Sequence, residues 1–220
     1  MSLSAVIPTL NAARELPTCI ATLRSVPDEM IIADGGSTDG TPAIAERLGT
    51  RVVAAPRGRG SQLAVGVAAA RGDWLLLLHA DTRLDPAWAA VAQAHMLSHA
   101  GAAGYFRFAL DSNDPRARRL ERLVAWRCGV FALPYGDQAL LLPRALLEAI
   151  GGIRPLPLME DVDLARRLGR RRLVPLDAAA VTSAARWERD GWYRRSLCNL
   201  GCLALYAVGV PPRLIARLYS

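Results

Sequence analysis

Three aspartates in this sequence stand at the end of, or close behind, apolar stretches, at points where a carboxylate can do chemistry. Asp34 ends the stretch EMIIAD, Asp81 follows the run WLLLLHA, and Asp161 lies in the segment MEDVDL. A carboxylate can ligate a divalent cation, take a proton from a hydroxyl, or accept hydrogen bonds from a bound ligand. Any of the three can equally serve as a cap, because helix starts favour aspartate.

The apolar run before Asp81 predicts the element around which the chain is organised. Residues 74–78 read WLLLL and are followed by HADT at 79–82. A continuous apolar run of this kind is typical of a strand buried on both faces of a parallel sheet. Ligands of open parallel sheets bind at the carboxyl ends of the strands, so Asp81 is expected at the mouth of a site. The alternative is that Asp81 only caps a helix starting near Asp85.

Strand and helix patterns alternate along the first half of the chain and predict an α/β fold with a mostly parallel central sheet flanked by helices. The apolar stretches predict strands at 3–9, 29–34 and 51–55, helices at 42–48, 63–70 and 86–99, and an arginine–glycine loop at 56–62. The second half is less regular, with a strand at 104–110, a helix at 115–127, a turn at 134–137, a helix start at 160–161 and a strand from 173. We expect one catalytic domain over 1–190, with halves at about 1–110 and 111–190, and an apolar helical tail at 191–220.

The amino-acid composition indicates which kinds of ligand or partner the protein is expected to bind. The net charge is +7, and every one of the 27 basic residues is arginine. Arginine binds phosphate in a bidentate manner, so an anionic substrate or an anionic membrane is expected. The basic residues are scattered and no nucleic-acid recognition motif is present, which argues against nucleic acid. The four cysteines show no CxxC pair and the start reads as a strand rather than a signal peptide, which predicts a cytoplasmic protein.

Five short motifs, taken together, resemble the family-two glycosyltransferases of the GT-A fold. They are VIPTLN at 6–11, ADGGSTDGT at 33–41, HADT at 79–82, GDQ at 136–138 and MEDVDL at 159–164. Their order and spacing match over residues 1 to about 190. The resemblance implies transfer of a sugar from a nucleotide-sugar, a UDP-sugar in the first place, to an acceptor hydroxyl by inverting single displacement. It further implies a divalent cation, Mn²⁺ or Mg²⁺, and the short bacterial type, whose acceptors include lipid-like ones.

The resemblance also assigns roles to individual residues. Asp81 corresponds to the metal ligand, but His79 stands where the family has a further aspartate and is expected near the ribose. Asp161 corresponds to the general base and Glu160 to its partner, while Asp34 corresponds to the aspartate that binds uracil. The remaining residues expected to bind donor or acceptor are Pro8, Thr9, Asn11, Gly35, Arg57, Arg59, Gln62, Gly136, Asp137, Gln138, Arg186 and Trp187. The family's QxxRW motif is present only as SAARW, which argues against a processive polysaccharide synthase.

Other classes of protein remain alternatives. A nucleotidyltransferase would need a glycine-rich loop with a catalytic lysine or arginine after the first strand, where this chain reads PTLNAARE. A phosphatase of the DxDxT type would need a nucleophilic aspartate at the position of His79. A non-catalytic carbohydrate- or nucleotide-binding protein on the same fold is the third alternative, and the presence of all three aspartates speaks against it.

The tail predicts a surface contact rather than a membrane span. Ser196 to Pro212 contains 17 residues without a charge, bracketed by Arg194, Arg195 and Arg213. A spanning helix needs about 20 apolar residues, so this segment is short. We expect peripheral membrane contact through 194–220 with arginines at the lipid headgroups, or else a homodimer contact or packing on the core.

Overall fold

The computed structural model describes residues 1–23 and 26–219 of the chain. Its strands are β1 Leu3–Thr9, β2 Glu29–Asp34, β3 Arg51–Ala54, β4 Trp74–Leu77, β5 Thr82–Leu84, β6 Ala103–Leu110, β7 Leu140–Pro143 and β8 Leu173–Thr182. Its helices are α1 Leu16–Leu23, α2 Thr41–Arg47, α3 Arg59–Ala69, α4 Trp88–Ser98, α5 Pro115–Phe131, α6 Arg144–Ala149, α7 Glu160–Leu168, α8 Ala185–Asp190, α9 Trp192–Ala207 and α10 Pro212–Tyr219. Short 3₁₀ turns cover 136–138 and 170–172.

All the strands just named belong to one sheet with the order β3-β2-β1-β4-β7-β6-β8-β5. Strands β3, β2, β1 and β4 run parallel, and β7 joins β4 in antiparallel orientation. Within the described residues, four of the seven strand pairings are parallel. The predicted α/β architecture with a mostly parallel sheet is therefore confirmed, and it brings the carboxyl ends of β1, β2 and β4 to one edge.

Strand β4 is buried on both faces, as its continuous apolar sequence predicts. Leu76 and Leu78 pack in one core cluster, whereas Leu75 and Leu77 pack in a second cluster on the opposite face. Side chains of a strand alternate between faces, so a sheet covered on both sides needs apolar residues at every position. Because β4 is packed on both faces, it is a rigid support for the turn that follows it and carries Asp81.

Two local predictions are wrong in their boundaries. Hydrogen-bonded pairing of β4 ends at Leu77, and the chain after the turn at 79–81 forms the unpredicted strand β5, which pairs with β8. Helix α3 begins at Arg59 rather than at residue 63, because Gly58 adopts a positive φ and its carbonyl accepts the N–H of Gln62. The arginine–glycine loop therefore ends earlier than predicted, and Arg59 lies in the first turn of a helix.

The C-terminal helices pack against the start of α7. Cys202 of α9 and Ile215 of α10 share a buried cluster with Leu158, Met159 and Val162 around the start of α7. The predicted helical tail is thus present, and its inner face covers the segment that carries Asp161. Among the described residues, the model contains no helix long and apolar enough to cross a bilayer.

Candidate active site

A cleft at the carboxyl ends of β1 and β4 gathers most of the predicted site residues. It has two connected compartments that share Arg59, His79, Asp81, Leu158, Ser183 and Arg186. The first compartment is further lined by Pro8, Thr9, Leu10, Asn11, Ala12, Glu15, Arg57, Gly58, Gln62, Ala80, Pro157, Ala185 and Arg189. The second is further lined by Tyr135, Asp137, Met159, Asp161, Val162, Thr182, Trp187, Arg195 and Asn199.

Asp34 supports the wall of the first compartment and does not line it. Its carboxylate accepts hydrogen bonds from the hydroxyls of Thr9 and Ser37 and from the backbone N–H groups of Gly36 and Ser37. These donors lower the pKa of Asp34 although burial opposes them. A base N–H that donated a hydrogen bond to Asp34 would have to displace one of these four donors.

Gln62 and Gly35 hold the strand ends together. The Gln62 amide is buried and donates to the carbonyls of Thr9 and Ala33, at 2.5 and 2.9 Å. A Cβ at Gly35 would lie 3.0 Å from the Gln62 side chain, so the close approach favours glycine there. Gly35 lies outside both compartments, and its predicted role is therefore structural in this arrangement.

Asp81 stands where the two compartments meet. Its Oδ1 accepts a long contact of 3.5 Å from the hydroxyl of Thr182. Within the part of the chain that is described, no three acidic, histidine or cysteine side chains form a ready-made metal site. A hard cation that took Asp81 as ligand would complete its shell with ligand oxygens and water, as Mg²⁺ commonly does. The donor set therefore fits a divalent cation that binds together with an anionic ligand.

His79 is a neutral neighbour of Asp81 at physiological pH. Burial lowers the pKa of the His79 imidazole to about 4, and the nearby Arg59 guanidinium adds to that shift against the opposing effect of Asp81 and Asp161. A Cβ at Gly136 would lie 2.5 Å from His79 Nε2, which explains why the GDQ turn begins with glycine.

Asp161 reaches the second compartment from the start of α7. Its Oδ2 accepts the backbone N–H of Gly136 at 2.8 Å, and its Oδ1 accepts the N–H of Val162 at 2.7 Å. The positive end of the helix dipole favours a carboxylate at this position. Met159 precedes the pair with a φ of 67°, a left-handed conformation that turns the chain sharply into α7.

Asp137 is the second carboxylate on this side of the cleft. Burial raises its pKa to about 6, opposed by Arg127 and reinforced by the negative charges of Asp161 and Asp81. Among the described residues, none hydrogen-bonds to its buried Oδ1. Asp137 and Asp161 line the same compartment.

Gln138 lies away from the cleft, contrary to its expected contact with the acceptor. Its amide donates to the carbonyl of Phe106, and its Oε1 accepts from Arg127, Cys128 and the N–H of Tyr135. Burial requires such complete pairing of an amide. Gln138 therefore anchors the loop that presents Tyr135, Gly136 and Asp137.

Glu160 is also withdrawn from both compartments. Only 3% of the residue is exposed, and Arg59 Nε lies 3.1 Å from its Oε1. It borders a smaller apolar cavity with Leu63, Leu77, Leu140, Leu164 and Gly136. This burial does not favour direct contact between Glu160 and a substrate, whereas Asp161 lines the second compartment.

Sequence reasoning missed the contribution of the tail to the cleft. Arg195 and Asn199 of α9 line the second compartment, together with Trp187 and Tyr135. Their spacing of four residues places them on one face of a helix, a signal that was present in the sequence. The sequence did not indicate which part of the protein this helix face contacts, because that depends on how α9 packs.

The family follows from comparison with known proteins. Residues 4–154 match the family described as Glycosyl transferase family 2. The chain belongs to this family. An uncharacterized glycosyltransferase of Rickettsia felis is 37% identical over 84 residues, covering 38% of this chain and 30% of the relative. A PGL/p-HBAD biosynthesis glycosyltransferase of Mycobacterium tuberculosis is 40% identical over 91 residues, covering 37% of this chain and 36% of the relative. These matches extend over roughly a third of the length of the curated relatives.

Solved structures confirm the GT-A type of fold. TarS of S. aureus, residues 1–349, superimposes with a TM-score of 0.67 at 18% identity, covering 84% of this chain and 61% of TarS. Glucosyl-3-phosphoglycerate synthase of Mycobacterium tuberculosis, solved with Mn²⁺ and UDP-glucose, gives a TM-score of 0.65 at 21% identity, covering 96% of this chain and 80% of the synthase. At these identities the likeness concerns the fold.

Proposed function

We propose that this chain transfers a sugar from a UDP-sugar to an acceptor hydroxyl by a metal-dependent, inverting single displacement. The observation that carries the proposal is that Asp81 and Asp161 line one and the same compartment, although 80 residues separate them in sequence. In this proposal, one carboxylate holds a cation that stabilises the leaving diphosphate. The other carboxylate accepts the proton of the acceptor hydroxyl.

The first compartment is the donor side in this proposal. Pro8, Thr9 and Asn11 form its wall at the end of β1, and Arg57 lies at its edge. Arg59 and Arg186 lie where the compartments meet, so their guanidinium groups are placed to bind a diphosphate. Crystal structures of the mycobacterial synthase with Mn²⁺ and UDP-glucose and of TarS with UDP-GlcNAc support a UDP-sugar as donor.

Asp81 is the residue that would hold the divalent cation, Mn²⁺ or Mg²⁺. A bound cation of this kind supplies positive charge to the leaving diphosphate. Thr182 orients the Asp81 carboxylate through its hydroxyl, and the neutral His79 is a hydrogen-bonding neighbour for the ribose.

Asp161 is the general base on the acceptor side. The Gly136 N–H holds one of its oxygens at 2.8 Å, which aims the carboxylate before any acceptor is present. It takes the proton of the acceptor hydroxyl as the oxygen bonds to the anomeric carbon and the diphosphate leaves. Attack opposite the leaving group inverts the anomeric centre. Asp137 and Asn199 are placed to orient the acceptor beside it.

A screen of nucleotide-sugars by thermal shift tests the donor assignment. We expect UDP-sugars with Mn²⁺ or Mg²⁺ to raise the melting temperature, since a ligand that binds only the folded state stabilises it by mass action. The same compounds with a chelator serve as the control. Equal shifts with GDP-, ADP- and UDP-sugars would contradict the preference for uridine.

The outer face of α9 supports the proposed peripheral membrane contact and a lipid-like acceptor. Tyr193, Leu197 and Leu200 are each more than 60% exposed beside Arg194. Apolar side chains flanked by arginine suit an anionic bilayer surface. We expect the protein to sediment with anionic phospholipid vesicles at low salt, and Leu197→Ser with Leu200→Ser to weaken this binding several-fold.

Leu123→Ser is the matched control for this prediction, since Leu123 of α5 is also 62% exposed. Sedimentation that is lost equally in the control would argue against a role specific to α9. If the wild type ignores the vesicles and has the mass of a dimer, the same face is a contact between two copies.

A further inference from the structure

Glu160 is a buried carboxylate that is incompletely paired. Among the described residues, no other residue hydrogen-bonds to either of its oxygens, and its contact with Arg59 at 3.1 Å is an ion pair. A buried carboxylate in this situation is costly to keep charged, and protonation is the usual relief. Glu160 therefore depends on Arg59 for its negative charge.

Arg59 is shared between Glu160 and the cleft. Its side chain is 36% exposed, against 1% for that of Glu160, and it lines both compartments. The same guanidinium thus touches the buried carboxylate on one side and faces the proposed diphosphate position on the other. A dianionic diphosphate in the cleft competes with Glu160 for this one cation.

The backbone keeps the two partners together. A Cβ at Gly60 would lie 2.6 Å from backbone atoms of Leu156, so the first turn of α3 is pressed against the segment leading to α7. This close packing places the first turn of α3, and with it Arg59, beside the segment that leads to Glu160.

The charged groups that face Glu160 come from three elements. They are Arg59 of α3, Asp161 of α7, and His79 after β4, which borders the same apolar cavity. The pKa of Glu160 is raised to about 7, because burial raises it most, the Arg59 guanidinium opposes that shift, and the negative charge of Asp161 adds to it. His79 is neutral near pH 7, so Arg59 is the cation whose withdrawal would increase the proton affinity of Glu160.

We propose that Glu160 is a positioning residue that releases Arg59 to the donor's diphosphate and takes up one proton from solvent as it does so. This inference rests on the proposed function, since it needs a diphosphate in the cleft. A hydronium ion or buffer acid gives up the proton, which bonds to a Glu160 carboxylate oxygen; no bond of the donor forms or breaks, and dissociation of the donor reverses the step. Donor binding is then linked to pH through a group that never touches the donor.

Calorimetric titration of the whole chain with UDP and Mg²⁺ at pH 8 tests the linkage, in Hepes and in Tris. The difference in observed enthalpy between buffers with different ionisation enthalpies measures the protons taken up. From a pKa of about 7, we expect uptake of about 0.9 proton at pH 8 and about 0.5 at pH 7. The UDP phosphates are already ionised at pH 8, so they do not supply this signal.

Glu160→Gln distinguishes this role from a purely structural one. The amide imitates the protonated acid, so uptake should vanish, and UDP should bind up to about tenfold more tightly than to the wild type at pH 8. A merely structural residue would weaken binding when replaced. Glu46→Gln is the matched control, because Glu46 is exposed on α2 and lines neither compartment, so the same chemical change there should keep the proton uptake.

The outcomes separate this inference from the proposed function. UDP binding without proton uptake, or uptake that persists in Glu160→Gln, would overturn the linkage and leave the donor assignment standing. Failure of the wild type to bind UDP at all would overturn both.

Discussion

Replacement of Asp161 by asparagine should lower kcat by about 10² to 10⁴ while leaving the affinity for the donor nearly unchanged. The loss corresponds to about 3 to 5 kcal/mol of transition-state stabilisation. Asparagine has almost the same shape and can still accept the Gly136 N–H through its carbonyl oxygen. What it cannot do is take the proton of the acceptor hydroxyl. The measurement is steady-state turnover, with donor affinity determined separately by calorimetry.

Asp177→Asn is the control for this substitution. Asp177 is exposed on β8 and lines neither compartment, so the same chemical change there should leave turnover intact. Near-normal turnover of the Asp161 variant would show that another group takes the proton. A product that retains the anomeric configuration of the donor would contradict single displacement.

Replacement of Asp81 by alanine should abolish the metal-dependent part of UDP binding. Asp81 is the carboxylate at the junction of the compartments, and without it a cation would have only the ligand and water to hold it. Its side-chain hydrogen bond to Thr182 is long, at 3.5 Å, so its loss should cost little stability and the fold should survive. Calorimetry with Mg²⁺, with Mn²⁺ and with a chelator gives the three affinities to be compared.

Asp85→Ala provides the comparison for Asp81→Ala. Asp85 accepts the N–H of Ala87 in the turn before α4, and it lines neither compartment, so its loss should spare metal-dependent binding. Equal UDP affinity of the Asp81 variant with and without chelator, at the wild-type level, would remove Asp81 from the metal site.

Much of the donor half could be predicted from local sequence. The unbroken run of leucines predicts that β4 is buried on both faces. Strands β1 and β2 are short apolar stretches that end in polar residues. Thr9 at the end of β1 and Asp81 after β4 both line the first compartment, at the edge where parallel strands present their carboxyl ends. The segment MEDVDL likewise predicted a helix that starts at residues 160–161, where α7 begins.

Local sequence patterns did not predict where α3 begins or which groups the polar side chains of the site would contact. The start of α3 depends on Gly58 and on the close packing of Gly60 against Leu156, a contact across about 100 residues of sequence. Aspartate and glutamine often bind ligands, so Asp34 and Gln138 were expected to do so. In the structure, their side chains instead form hydrogen bonds with neighbouring groups of the protein. Residue type indicates which bonds a side chain can make, whereas the fold sets which partners are within reach.

The alternation of strand and helix patterns predicted the α/β architecture and the edge of the sheet at which Asp81 lies, because these depend on short-range periodicity, while the roles of Asp81 and Asp161 remain predictions from the family resemblance. The packing of α9 against α7, the entry of Arg195 and Asn199 into the cleft, and the pairing of Arg59 with Glu160 depend on long-range contacts. Such contacts arise when amphipathic elements bury their apolar faces together, and the sequence of either element alone does not specify its partner.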